Sequence, residues 1–220
     1  MPDLSFRVSG AEPVAMAAQP LIALKLEVSN ATAETIHSVN LRTQIQIEAT
    51  RRHYSTEEKE LLLDLFGTPE RWGKTLRPFL WNHVSTVVTS FTGATTAELQ
   101  VPCTFDFNVA ATKYFHAVSE GDVPLLLLFS GIVFYVGAEG ALQVAPISWD
   151  KEARFRLSVR VWRDMMDLYY PNSAWLSLRR DVFERLYRYK VQRSLPTWED
   201  ALDSLLAAQE EAAEEEVVRQ

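Results

Sequence analysis

Cysteine is all but missing from this chain of 220 residues: Cys103 stands alone, so no internal disulfide can form. That removes the staple on which small secreted folds rely and points to a reducing compartment, so a cytoplasmic location is expected. Histidine is equally sparse. His37, His53, His83 and His116 are isolated, with no His-x-x-x-His or Cys-x-x-Cys spacing, and neither a metal nor any other cofactor is expected. Long apolar runs are absent too. The longest, Val123 to Val136, is broken by Pro124, Ser130 and Gly131 and falls short of the ~20 residues that span a bilayer, so no membrane contact is expected. Met1 to Gly10, which carries Asp3 and Arg7, lacks the basic start and apolar run of a secretory signal.

Positive charge is short overall. The net charge of −7 argues against generic nucleic-acid binding, which draws its affinity from clustered lysine and arginine. The distribution says more than the sum. Residues 1–150 hold 10 basic and 16 acidic side chains, residues 151–195 hold 11 and 5, and residues 196–220 hold 1 and 8. A basic segment therefore stands just ahead of an acidic end. That segment also carries Trp162, Tyr169, Tyr170, Trp175, Tyr187 and Tyr189, a mixture able to stack single-stranded bases. However, Arg180, Glu184 and Arg188 are i,i+4 neighbours, as are Asp181 with Arg185 and Arg160 with Asp164, so much of this charge is answered within helices.

What is present is mostly strand signal. Leu4, Phe6 and Val8 alternate with polar residues, as do Ile22, Leu24, Leu26 and Val28, and then Val39, Leu41, Thr43, Ile45, Ile47 and Ala49. One wet face and one dry face are the mark of antiparallel pairing. Ser29 to Thr35 reads as a hairpin connection between the second and third of these strands. Ser55 and Glu58 form a capping box for a helix that Gly67 stops, and a Trp- and Arg-rich loop follows from Thr68 to Trp81. Strands resume at Val84 to Phe91 and at Leu99, Val101, Cys103, Phe105 and Phe107, with a turn at Thr92-Gly93. Ala110 to Val118 reads as either a short helix or a continuing strand. Val123 to Val136 and Ala141 to Ile147 read as a hairpin, and one more strand is expected near Phe155 to Val159. The period then changes. Trp175, Leu178, Val182, Leu186 and Tyr189 lie on one helical stripe, and Pro196-Thr197 opens a second helix with Trp198, Leu202, Leu205 and Leu206 on its face.

The expected fold is α+β, an antiparallel sheet or sandwich core of about seven or eight strands followed by C-terminal α-helices. Residues 1–206 are expected to form a single globular domain, β-rich over 1–159 and helical over 160–206, with 207–220 an acidic frayed helix or tail.

Catalytic motifs are weak. Gly67 to Thr75 ends in Gly-Lys-Thr like a phosphate-binding loop, but five residues separate its glycines where four are needed, and Pro69 has no N–H to donate. Ser130 lacks the glycine spacing of a hydrolase elbow. Cys103 shares a face with Val101 and Phe105 and reads as a core thiol, and Asp106 as a solvent-facing strand acid. The segment richest in contact-forming side chains is the loop with Arg71, Trp72, Lys74, Arg77 and Trp81, because Trp and Arg dominate binding hot spots. Its structural alternative is a loop folded over its own core with the tryptophans as plugs.

Val101-Pro102-Cys103-Thr104-Phe105-Asp106-Phe107, Lys113-Tyr114-Phe115, Gly121-Asp122-Val123-Pro124-Leu125, Phe129-Ser130-Gly131, Tyr170 to Leu176 and Leu195-Pro196-Thr197-Trp198 together resemble a bacterial family of unknown function. The resemblance covers most of residues 4–206. It implies an actinobacterial setting, with genes encoded near those of nickel–iron hydrogenases, and hence an accessory role toward such an enzyme. No functional residue carries over with it. The sparse Cys and His argue against this chain holding nickel or an iron–sulfur cluster itself. A non-catalytic accessory protein that binds another protein is therefore expected, with homo-oligomerisation open. The alternative is an enzyme or small-ligand binder whose site is assembled from distant strands.

Overall fold

Strict alternation in three early strands leaves each with one apolar face, and the only way to dry these faces is to press two sheets together. The computed structural model describes residues 1–104, 108–137, 139–173 and 176–218, with side chains through residue 210. Eight strands form two antiparallel sheets. One has the order β1-β2-β5, from Leu4–Pro13, Leu21–Asn30 and Ala94–Pro102. The other has the order β4-β3-β6-β7, from Phe79–Val88, Ile36–Ile47, Asp122–Val136 and Leu142–Pro146, with β8 (Glu152–Ser158) also on β6. This is the expected α+β architecture. Between the sheets lie Phe6, Leu24, Leu26, Leu41, Ile45, Leu99, Leu125 and Leu127, all buried. Phe6 stacks on Phe129 with centroids 4.3 Å apart, joining the two sheets.

The link after β2 is not a hairpin. β2 and β3 belong to different sheets, and residues 31–35 carry the chain across. Buried Asn30 makes that crossing possible: its Oδ1 accepts from the amides of Asp3 (3.1 Å) and Thr32 (3.3 Å), and its Nδ2 donates to the Glu34 carbonyl (3.0 Å). The return crossing at Ser90–Gly93 is knitted beside it, with the Asn30 amide on the Gly93 carbonyl (2.7 Å) and Phe91 bridged to Ile36. Ala49 lies past the end of β3, in the 3₁₀ turn Ala49–Arg51.

Helices close one end of the sandwich. The Ser55–Glu58 capping box opens α1 (Thr56–Leu61), and α2 (Leu63–Phe66) ends at Gly67, whose φ of 70° suits a residue without a side chain. The stretch expected as a loop from Thr68 to Trp81 is ordered as a 3₁₀ turn (Pro69–Arg71) and a helical turn α3 (Trp72–Thr75), and Phe79 to Trp81 belong to β4. Ala110 to Val118 is resolved in favour of helix: α4 (Val109–Ala117), capped by the Asn108 side chain, buries Tyr114 and Phe115. α5 (Val159–Tyr169) follows β8 directly, burying Trp162 and Met165, and the Phe115 and Trp162 rings stack at 4.3 Å.

The chain divides into two units, Met1–Ser173 and Ala174–Gln220. The second is a helical hairpin of α6 (Arg180–Gln192) and α7 (Trp198–Val218). Leu178 precedes α6 instead of sitting on it, whereas Val182, Leu186 and Tyr189 share its more protected face. Trp175, and Phe105, Asp106 and Phe107 of the earlier strand, lie outside the described residues. α7 continues through the acidic stretch to Val218.

One polar atom sits badly in the core. Thr43, between Leu41 and Ile45 on β3, is 1% exposed, and its hydroxyl has no hydrogen-bond partner among the described residues. A buried hydroxyl without a partner costs on the order of 1–3 kcal/mol, and valine has the same shape without it. Thr43→Val is expected to raise the unfolding free energy by about 1 kcal/mol in urea titration. A loss of stability would show that the hydroxyl is satisfied.

Candidate functional site

The Trp- and Arg-rich turn is split by the fold into an inner and an outer half. Trp72 donates from Nε1 to the Gly67 carbonyl (2.9 Å) and packs edge-on against Tyr54 (5.3 Å) and Phe66 (6.2 Å). Trp81, on the inward face of β4, is 2% exposed and lies 5.1 Å from the Phe115 ring, so its side chain contributes to no surface. Arg71, Lys74 and Arg77 point to solvent. Arg77 folds back to donate from Nε to the Lys74 carbonyl (3.2 Å), which holds the cations of this turn close together. In the Gly-Lys-Thr end of the same stretch the Thr75 hydroxyl donates to the Arg71 carbonyl (3.1 Å), as an ordinary helical residue does.

Beside this turn lies a polar cluster that sequence reading did not anticipate. The side chains of Arg52 and Glu58 are 8% and 5% exposed and form an ion pair at 2.5 Å. Arg52 also donates to the carbonyls of Asp122 (3.0 Å) and Glu120 (2.7 Å), while Glu58 accepts from the Ser119 amide (2.8 Å) and the Ser55 amide (3.1 Å). Next to them the Tyr54 hydroxyl donates to the Ala49 carbonyl (2.7 Å) and meets the Tyr114 hydroxyl at 2.8 Å. Arg52, Glu58 and Ser119, but not the two tyrosines, line an open cleft of about 600 Å³ together with Arg51, His53 and Arg156.

Its electrostatics favour structure over proton transfer. Burial pushes the Glu58 carboxyl up, but the Ser119 and Ser55 amides and the Arg52 charge outweigh burial and hold it below the usual carboxylate range. A carboxylate held ionised and fully hydrogen-bonded is a poor proton acceptor at neutral pH. Burial likewise raises Tyr54 and Tyr114, keeping both phenols neutral. Both carboxylate oxygens of Glu58 and both terminal nitrogens of Arg52 are committed to internal partners. The cluster clasps the 49–58 segment to the 119–122 turn.

Cys103 is similarly withdrawn. It is buried, and burial pushes its thiol up to about 12, far from the thiolate a nucleophile needs. Among the described residues no three metal-capable side chains come together, and no helix is long and apolar enough to cross a membrane.

The outward side of the larger sheet carries the other feature that the sequence concealed. In β7 the residue turned to the core is Ala145, paired with Val133 of β6, so Leu142 and Val144 face out at 57% and 59% exposure. Val144 is paired with Phe134, and Ile132 sits one row further along β6, its neighbours being Asn40 of β3 and Pro146 of β7. Three residues past β7, Trp149 is 94% exposed. Leu142 and Val144 alternate with Gln143 and Ala145, and it is Ala145 that lies against Val133.

Two facing antiparallel sheets, closed at one end by helices and followed by a helical hairpin, define an α+β protein with a sandwich-like core. The chain belongs to the family of unknown function DUF6084, whose model matches residues 1–214. That agrees with the resemblance of its motifs to an uncharacterised family. No curated protein matches it. Among solved structures it is similar to the CARDB domain of a Pyrococcus furiosus protein in complex with di-metal ions, at 13% identity over 71% of this chain and 92% of that one, with a TM-score of 0.29. It is also similar to a protein described as late embryogenesis abundant, at 14% identity over 71% of this chain and 72% of that one, with a TM-score of 0.31. At such scores no property of either passes to this chain.

The clasp makes stability depend on acid pH. Because the folded-state pKa of Glu58 is depressed, its contribution is complete above the ordinary glutamate value of about 4.3 and is lost as pH falls through the folded value. Glu58→Gln keeps the helix cap but leaves Arg52 buried without a counter-charge, and is expected to cost about 3 kcal/mol at pH 7. In urea titrations that gap should narrow as pH falls below the ordinary glutamate value and through the lower folded one. A gap that stays constant with pH would rule out the ionised pair.

Proposed function

We propose that this protein is a non-catalytic, cytoplasmic accessory protein that works by holding another protein. The observation that supports this reading is the outward apolar surface formed by Ile132, Phe134, Leu142 and Val144, with Trp149 beyond it. Apolar side chains in adjacent rows of a sheet, together with an indole in water, are the composition of a hot spot and not of an ordinary solvated face. Arg71, Lys74 and Arg77 form a second contact area in the same reading, one that meets acidic groups. The resemblance to a bacterial family encoded beside nickel–iron hydrogenases makes a hydrogenase-type enzyme, during assembly or function, the first partner to test.

A second reading, an enzyme or small-ligand site assembled from distant segments, has one observation in its favour. The cleft above Arg52 gathers side chains from the 51–58 segment, the 119–122 turn and β8, and the Arg52 Nε is buried without a partner among the described residues. Inorganic phosphate raising the melting temperature of the native chain, but not of Arg156→Ala, would move the assignment there.

The leading reading is tested by affinity capture from the native host. The native chain is expected to retain a specific protein that Val144→Asp and Trp149→Ala each lose by at least tenfold, with melting temperatures close to native because both positions are exposed. Equal recovery by all three would overturn this surface.

A further inference from the structure

The helical hairpin of the second unit does not bury its own apolar residues. Among its described residues only Ala201 is buried. The hairpin is nonetheless well made. The Tyr189 hydroxyl meets the Ser204 hydroxyl at 2.7 Å, Lys190 donates to the Pro196 carbonyl (2.8 Å), and Trp198 packs on the rings of Phe183 (5.2 Å) and Tyr187 (6.2 Å). α7 is capped at Thr197, whose hydroxyl accepts from the Asp200 amide at 3.0 Å. Against this order, Phe183, Tyr187 and Val191 recur every four residues along α6 with about half their surface open, and Leu202, Leu205 and Leu206, spaced i, i+3 and i+4 on α7, are 36% to 62% exposed. A groove of about 390 Å³ is lined by Phe183 and Leu186 of α6, Trp198 and Leu202 of α7, and Leu176 and Leu178 of the segment before α6. Two antiparallel helices with an apolar face this wide are half of a four-helix bundle.

Charge says what supplies the other half. Residues 179–193 carry six basic and two acidic side chains, whereas residues 198–210 of α7, the part that lies along α6, carry four acidic and none basic. Across the hairpin Lys190 lies over the Trp198 ring, and the pKa of Asp200, lowered chiefly by its hydrogen bonds with Thr197, is lowered further by the Lys190 charge. Among the described residues the ion pairs of this unit, Arg180 with Glu184 and Arg179 with Asp181, both lie on the α6 side. A surface that is basic along one edge and acidic along the other, with an apolar strip between, is complementary to itself. We infer that this face is covered by the same face of a second copy of the chain, with α6 of each copy against α7 of the other. That pairing fixes the symmetry. A two-fold axis along the bundle, with both connecting turns at one end, lays basic helix on acidic helix, whereas an axis across the bundle lays α6 on α6 and repels. The six apolar side chains on the strip are 36% to 62% exposed, and contiguous apolar surface of this kind marks a contact site. This surface belongs to the second unit, and the outward sheet face proposed to hold another protein belongs to the first.

Sedimentation of the full chain decides it. The native protein is expected at twice its 25.0 kDa mass at micromolar concentration, and Leu206→Asp or Val191→Asp, both at solvent-facing positions, at the single mass with helix content unchanged. Raising salt from 0.05 M to 1 M is expected to weaken the native dimer several-fold, because attraction between α6 and α7 is screened. A native chain that stays monomeric at high concentration, or a dimer that survives both substitutions, overturns the inference. A dimer that tightens with salt overturns the pairing of α6 with α7. The Val144→Asp variant should still dimerise, so failure of this interface is distinguishable from failure of the sheet surface.

Discussion

The structure depends on the pairing of β3 with β6. β3, which alternates from Val39 to Ile47, pairs with β4 on one side and β6 on the other, and β6, at 15 residues, is long enough to serve β3 on one side and both β7 and β8 on the other. The two backbones meet so closely at Gly131 that a Cβ there would stand 2.0 Å from the Asn40 carbonyl oxygen. At φ +139° this is also a conformation that other residues rarely adopt, so glycine is required on both counts. With that pairing in place, the inward residues of β3 and β6 present a continuous apolar sheet, and the β1-β2-β5 sheet has one place to bury its own.

Each remaining device compensates for a cost this sandwich creates. Crossing between sheets takes backbone away from ladder partners, and Asn30 and Asn108 supply hydrogen bonds where ladders end. Asn108 caps α4 with its oxygen while its amide donates to the carbonyls of Leu80 (3.0 Å) and Trp81 (2.7 Å). The helical insert between β3 and β4 must be held against the open end, and the Arg52–Glu58 clasp does this with charge-assisted hydrogen bonds out of water. The aromatic packing of Tyr54, Phe66, Trp72, Phe79 and Tyr114 then dries the same end. The tryptophan at position 72 is thus spent on the fold, while the neighbouring cations are left to solvent.

Surfaces that the fold does not need for itself carry the functional reading. The outward side of β6 and β7 and the strip along α6 and α7 are apolar on elements already supported by ladders or caps. Keeping such side chains in water lowers solubility and contributes nothing to the stability of the isolated units, which is the physical reason to read them as contact surfaces.

Reading the chain alone determined the period of each element, because alternation and helical spacing are properties of neighbours in sequence. β1 to β3, the Ser55–Glu58 cap, the stop at Gly67, the β6–β7 hairpin and the start of α7 at Thr197 were all legible in that way. Partnership was not. Ser29 to Thr35 has the composition of a hairpin, and only the burial of the inner faces of the two sheets against each other sends it across to the other sheet. β7 shows Leu142 and Val144 to water, and it is Ala145 that lies against Val133. Glu58 was legible as a helix cap but not as the counter-ion of Arg52, since the groups that complete the pair come from a turn more than sixty residues away. Local pattern decides conformation, and which surfaces meet is decided by packing between segments that the sequence keeps far apart.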